Sequence, residues 1–285
     1  MAASLKHQPL VVLYRGFPAS SAYTWSPFVT KLETRLRLVG LKYRADQGSF
    51  AKAPRGKIPY VEITYEGQQT PVGLGDSTMI ARQLVEDGVC EDLNAGLSPA
   101  GRAQDASIRA LLEDKLYFYQ GRERWQDNYD TMVSHVMSSI PWPVRPVIGA
   151  LAYRGMMRTL HGQGTGRFSN EEIADFRHDI WVDVAALLAE ARSKTPPKDG
   201  ETPFWVLGGS GPSEADATVY GFIASGLLCA AAPDTQKTIR SHPVLVDYAR
   251  RIHERYFGDY DCWEAEDLKC LGGWAKGSTG LNRDR

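Results

Sequence analysis

Two stretches decide the reading of the fold, Gly56-Lys57-Ile58-Pro59-Tyr60-Val61-Glu62-Ile63-Thr64-Tyr65 and, shortly after it, Gly75-Asp76-Ser77-Thr78-Met79-Ile80. Proline has no N–H to give to a ladder, so Pro59 in front of a β-branched and aromatic run marks the first residue of a strand or an edge. An Ile-Pro pair is most often a trans turn; if the Ile58-Pro59 bond is cis, a form open to proline at about 0.5–1 kcal/mol, the Ile58 N–H and C=O are left facing outward. Groups so placed can pair with an extended, peptide-like ligand as a sheet edge pairs with a new strand. The chain is then expected to turn through Gly73 and Gly75 and to enter a helix at Asp76-Ser77, with Ile80 and Leu84 on one face and Gly88 as the stop. Free N–H groups at a helix start bind carboxylates.

Working outward, Leu10-Val11-Val12-Leu13-Tyr14 is an unbroken apolar run suited to a strand covered on both faces. Ser26-Pro27 announces a helix, serine as cap and proline at the first helical position. Phe28, Leu32 and Leu36 form its expected buried stripe, with Lys31, Glu33, Arg35 and Arg37 mostly off it, and Gly40 ends it. Leu41 to Arg44 reads as a second strand and Gln69 to Val72 as a fourth. The order becomes β-α-β, link, β-β-α, with a crossover helix that makes the first two strands parallel.

Glu91 to Leu97 is a linker, and the pattern beyond Ser98-Pro99 is helical. Leu111, Leu112, Leu116 and Tyr119 mark a long helix to about Trp125. Pro141, Pro143 and Pro146 predict a bent connection over 139–150. Ser169 to Glu172 is a capping box, followed by the stripe Ile173, Phe176, Ile180 and Val184. Thr195 to Gly200 reads as an exposed loop, Ser213 to Asp216 as a second box, and Val244 to Tyr256 as the last strong helix. The expected division is an α+β unit over 1–90 and an all-helical unit over 97–285.

With 285 residues, 43% hydrophobic and 24% charged, the chain has the composition of a soluble globular protein. A net charge of −1 gives no electrostatic reason to expect nucleic acid or anionic lipid as partner. No secretory signal is evident, and the apolar stretch Gly221 to Pro233 is shorter than the roughly 20 residues of a spanning helix, so a cytoplasmic protein is expected. Cys90, Cys229, Cys262 and Cys270 have neither C-x-x-C nor metal-ligand spacing, and the six histidines are scattered. Reduced thiols and no metal are expected.

The chain resembles the glutathione transferase superfamily through Ile58-Pro59 followed by Asp76-Ser77. The Ser-x-x-Asp box, Ser26 to Arg37, Gly162-x-Gly164-x-Gly166-Arg167 and Arg251 to Phe257 add agreement with its branch of metaxin-like and failed axon connections proteins and their bacterial and fungal relatives. The resemblance implies a thioredoxin-like domain followed by an all-α domain. It implies glutathione as cosubstrate, with Ile58 and Pro59 at its cysteinyl part, Asp76 and Ser77 at its γ-glutamyl end, and a homodimer. Lys57, and behind it Lys52 or Arg55, can pair with the glycine carboxylate.

Glutathione reacts as thiolate, so one hydroxyl donor is the least the site needs. A helix N-terminus contributes about 0.3–1 kcal/mol, against about 1.5–3 for a hydrogen bond to a charged group. Ser26 is the first choice of donor because it precedes Pro27 where omega-class relatives place cysteine, and its hydroxyl can cap and donate at once. Tyr14 is the runner-up, with Tyr23 and Thr24 as substitutes. Without cysteine near Ser26, thiol–disulfide exchange is not expected. Phe17, Tyr23, Trp25, Tyr117, Tyr119 and Arg124 are the candidate lining for a small apolar electrophile. Conjugation, isomerisation and elimination all fit, and a non-catalytic docking module or ligand carrier is the rival class.

Overall fold

The computed structural model describes residues 8–17, 21–138, 140–194 and 202–263. Strands β1 (Leu10–Tyr14), β2 (Arg44–Asp46), β3 (Tyr60–Thr64) and β4 (Val72–Gly75) form one sheet in the order β2-β1-β3-β4. β1 runs parallel to β2 and antiparallel to β3, which is antiparallel to β4. Helix α1 (Pro27–Leu38) is the crossover between the parallel pair, and α2 (Ser77–Glu86) follows β4. Val11, Leu13, Leu32, Leu36, Val61, Ile63, Ile80 and Leu84 make the core between sheet and helices. This is a thioredoxin-like arrangement followed by a helical region.

That region holds α3 (Pro99–Ala110), α4 (Tyr117–Arg122), α5 (Tyr129–Val136), α6 (Arg145–Gln163), α7 (Asn170–Ser193), α8 (Glu214–Leu228), α9 (Pro233–Arg240) and α10 (Pro243–Tyr256). π-helical turns at Leu111–Leu116 and Glu123–Asp127 interrupt the long helix expected from Leu111 to Trp125. Its core is built on Trp181, Tyr220, Phe222 and Tyr248, all fully buried. No single helix among the described residues is long and apolar enough to cross a membrane.

The structure corrects several local expectations. β2 starts at Arg44, because Leu41 ends α1 instead: Gly40 takes a positive φ and Leu41 N–H returns to Leu36 O at 2.9 Å, burying the leucine. β4 is Val72–Gly75, so Gly73 and Gly75 lie in the strand; Pro54 and Arg55 pack where their Cβ atoms would stand. α6 begins at Arg145, inside the stretch expected to be a bent connection. Phe176 is partly exposed rather than part of a buried stripe. The loop expected at Thr195 to Gly200 lies outside the described residues.

The largest correction is in α1. Lys31, Glu33 and Arg35 are 3%, 0% and 2% exposed, because α8 packs on the face of α1 that the sheet leaves uncovered. The approach is so close that a Cβ on Gly221 of α8 would stand 2.6 Å from Pro27 O and 2.8 Å from Lys31 N. Each buried charge has an answering group, as burial demands. Lys31 Nζ donates to Glu113 Oε1 (2.7 Å) and Thr78 Oγ1 (2.9 Å). Arg35 pairs with Glu214 and donates to Glu91 O. Glu33 accepts from Tyr260 (2.5 Å) and Tyr43 (3.2 Å) and faces Arg15 at 3.4 Å, yet burial still pushes its carboxyl upward.

Candidate functional site

The strand register gathers the site. Tyr14 stands opposite Tyr60, and Tyr60 opposite Gly75. The residues just after Tyr14, just before Tyr60 and just after Gly75 therefore meet at one end of the sheet. They are the loop leading to Ser26, the pair Ile58-Pro59, and Asp76-Ser77.

The Ile58-Pro59 peptide bond is cis, and the Ile58 main chain makes no hydrogen bond among the described residues. The Ile58 side chain packs against Gly16, whose Cβ would lie 3.2 Å from Cγ1 of the isoleucine; Gly16 has a φ of 79°. Bare glycine thus lets the loop after β1 lie directly against the strand start. Asp76 also holds a positive φ, 81°, while its Oδ1 accepts from Thr78 N (3.0 Å) and Met79 N (3.1 Å). A non-glycine residue held there marks a backbone constrained by its surroundings. Ser77 is buried, with no hydrogen bond to its hydroxyl among the described residues. Lys57, Lys52 and Arg55 are exposed.

Ser26 is the N-cap of α1, its Oγ accepting from Val29 N at a long 3.4 Å. Its own N–H reaches Thr24 Oγ1 at 3.3 Å. Among the described residues nothing takes the Ser26 hydroxyl proton, so one donor is left over. Tyr14 differs. Its phenol donates to Glu62 Oε2 at 2.7 Å and its ring stacks on Tyr60 at 4.4 Å. The hydrogen bond to Glu62 and burial push its pKa up to about 12, which makes it a reluctant proton donor.

The six residues nominated as substrate lining divide among several neighbourhoods. Trp25 stacks on His135 at 3.5 Å, Phe17 lies 5.2 Å from the same imidazole, and Arg124 Nη1 donates to Trp25 O at 3.0 Å. Tyr117 packs on Phe28 and Phe118. Tyr119 turns to Phe176, on the side of α7. Tyr23 is drawn into the helical core, 2.6 Å from Tyr220 Oη and 2.7 Å from His253 Nδ1, ringed by Phe257, Tyr260 and Trp263. Burial drives its phenol far above the usual range, so Tyr23 is corrected to a core residue, and Tyr119 likewise. His135, whose imidazole burial holds below its ordinary pKa, was not singled out from sequence. Lys31, whose Nζ donates to Thr78 Oγ1 in the first turn of α2, was missed too, because the carboxylate that answers its charge, Glu113, is 82 residues away. A separate cleft of about 630 Å³, lined by Arg37, Lys42, Tyr43, Asp259 and Tyr260 among others, contains none of the nominated residues.

Residues 27–132 match the family described as glutathione S-transferase N-terminal domain. Over this stretch the chain is similar to the glutathione transferase superfamily. It is 24% identical over 270 residues to "Failed axon connections" of Drosophila melanogaster, a match covering 88% of this chain and 59% of that protein. The chain thus spans about three fifths of the length of this curated relative. Among solved structures, a glutathione transferase family member from Pseudomonas fluorescens with two glutathione bound aligns with a TM-score of 0.51 at 14% identity, covering 92% of each chain. Glutathione transferase Omega 1C from Trametes versicolor aligns with a TM-score of 0.50 at 14% identity, over 92% of this chain and 94% of that one. At these identities the glutathione transferases share the fold with this chain.

Proposed function

We propose that this glutathione transferase homologue binds glutathione along the Ile58 main chain and turns its thiol, as thiolate, on a small apolar electrophile. The observation that carries the reading is the convergence, at one sheet end, of the unpaired Ile58 main chain, the α2 start at Asp76-Ser77 and the uncommitted Ser26 hydroxyl proton. In this reading Asp76 and Ser77 hold the γ-glutamyl end, Pro59 shapes the turn at the cysteinyl part, Lys57 faces the glycine carboxylate, and Ser26 donates to sulfur. Tyr14 is left out as donor because Glu62 holds its proton. Phe17, Trp25 and Arg124, joined by His135, border the electrophile's side, with Tyr117 behind Phe28. Conjugation and glutathione-assisted isomerisation or elimination share this first step. The division at about residues 90–97, a homodimer and a cytoplasmic setting belong to the same proposal.

A non-catalytic docking or carrier role is the second reading, favoured by Ser26 already serving as a helix cap. Calorimetric titration with glutathione and with S-methylglutathione separates the two. Activation predicts that both bind and that only glutathione releases a proton to buffer below its free thiol pKa. Binding of both without proton release supports a carrier, and failure of both to bind supports a docking module.

A further inference from the structure

Residues 131–170 contain four arginines and no aspartate, glutamate or lysine, so the rest of the chain carries −5 where the whole carries −1. The near-neutral total conceals one strongly cationic segment. At its centre lies α6, whose inner face packs Ile148, Ala152 and Met156 on the cluster of Trp125, Met132 and Val133. Gly149 is pressed there so closely that a Cβ would stand 2.8 Å from Tyr129 Oη.

The opposite face has none of the described residues packed over it. Trp142 is 77% exposed, Val144 48%, Val147 62% and Leu151 61%. At 3.6 residues per turn, positions 144, 147, 151, 154 and 158 fall within about a quarter of the helix circumference, a stripe about 21 Å long. Arg154 and Arg158, both exposed and without an ion pair among the described residues, therefore continue the stripe that Val147 and Leu151 begin. Trp142 stands at its head between Pro141 and Pro143.

We infer that this face of α6 is a peripheral docking surface for an anionic phospholipid membrane. Interfacial helices combine exposed apolar side chains, tryptophan at headgroup depth and arginines that meet anionic lipid. The helix lies on the membrane and does not cross it. A second copy of the chain fits this face poorly, since a two-fold contact would set arginine stripe against arginine stripe with no acid in the segment to answer them. The inference does not rest on the proposed glutathione site.

The test is flotation of the full chain with vesicles of phosphatidylcholine alone and of phosphatidylcholine mixed with phosphatidylserine. Binding is expected to the mixed vesicles, weakening as salt rises. At about 1 kcal/mol per basic residue, Arg154→Gln with Arg158→Gln lowers the affinity about 30-fold. Trp142→Ala with Leu151→Ser also lowers it, with both double variants keeping the wild-type melting curve. The inference is overturned by absence of binding to the mixed vesicles at low salt, or by binding that neither neutral lipid nor the glutamines change. It is overturned equally by a dimer in analytical ultracentrifugation that Trp142→Ala with Leu151→Ser splits into monomers, which would give the face to a second copy.

Discussion

Helix α1 carries four charges at alternate positions and buries three of them, whereas α6 carries an apolar run and turns Val147 and Leu151 to solvent. Hydrophobic patterning alone would have assigned both the other way. What decides burial is the partner: α1 lies between the sheet and α8, and every charge on it meets an answering group, while among the described residues α6 is packed on one side only. Glu33 of α1 also joins the loop after β1 to the segment after α10, through Arg15 and Tyr260. The contrast can be broken by removing a partner from the packing around α1, or sharpened by substituting matched glycines on either side of it.

Breaking that packing at its most buried charge has the largest expected effect. Glu33→Ala removes the buried carboxyl that faces the Arg15 guanidinium at 3.4 Å and accepts from Tyr260 and Tyr43, and removal of one partner from a buried pair costs about 3–5 kcal/mol. Urea unfolding should show a midpoint shift of that size with an unchanged slope. A loss below about 1 kcal/mol would mean the packing tolerates the loss of that carboxyl.

Next is the carboxyl of Asp216 at the start of α8. Burial raises its pKa to about 6, against opposing hydrogen bonds from Val206 N, Ser213 N, Tyr248 Oη and Ser213 Oγ. A raised folded-state pKa means that folding favours the protonated acid, so this contribution is full below about pH 4 and lost as pH rises through about 6. Two units correspond to about 3 kcal/mol. The unfolding free energy of wild type relative to Asp216→Asn should fall by up to that amount between acid and neutral pH. A pH-independent difference would refute the assignment.

The smallest effects come from the two glycines. Gly221→Ala forces a Cβ into the α1 backbone and is expected to cost about 1–3 kcal/mol. Gly155, in α6, has nothing within 4 Å of its missing Cβ. There the same substitution adds up to about 1 kcal/mol from helix propensity alone. Opposite signs in thermal melts would confirm that one helix is hemmed in and the other is open.

The strands β1 and β3, the Asp76 start of α2 and the box ahead of α7 were legible because their signals are local: an apolar run, a proline, a cap residue three positions from its target. The direction of Lys31, Arg35 and Arg37 was not, because their partners Glu113, Glu214 and Asp259 lie 82, 179 and 222 residues away. The same distance hid the fate of Tyr23, which reads as a loop aromatic until Tyr220 and His253 close around it. The three segments of the candidate site could be named because each has its own backbone signature, but only strand register brings them to one end of the sheet. His135 escaped notice because a lone histidine carries no motif.

The central claim is that the Ser26 hydroxyl holds the sulfur of bound glutathione as thiolate. Its most direct test is the ultraviolet thiolate absorbance of glutathione bound to wild type, Ser26→Ala and Tyr14→Phe, titrated against pH. The account predicts a thiolate band in wild type whose apparent pKa rises by about 1–2 units in Ser26→Ala, the equivalent of one charged hydrogen bond, and stays put in Tyr14→Phe. A band that survives unchanged in Ser26→Ala and disappears in Tyr14→Phe would contradict it.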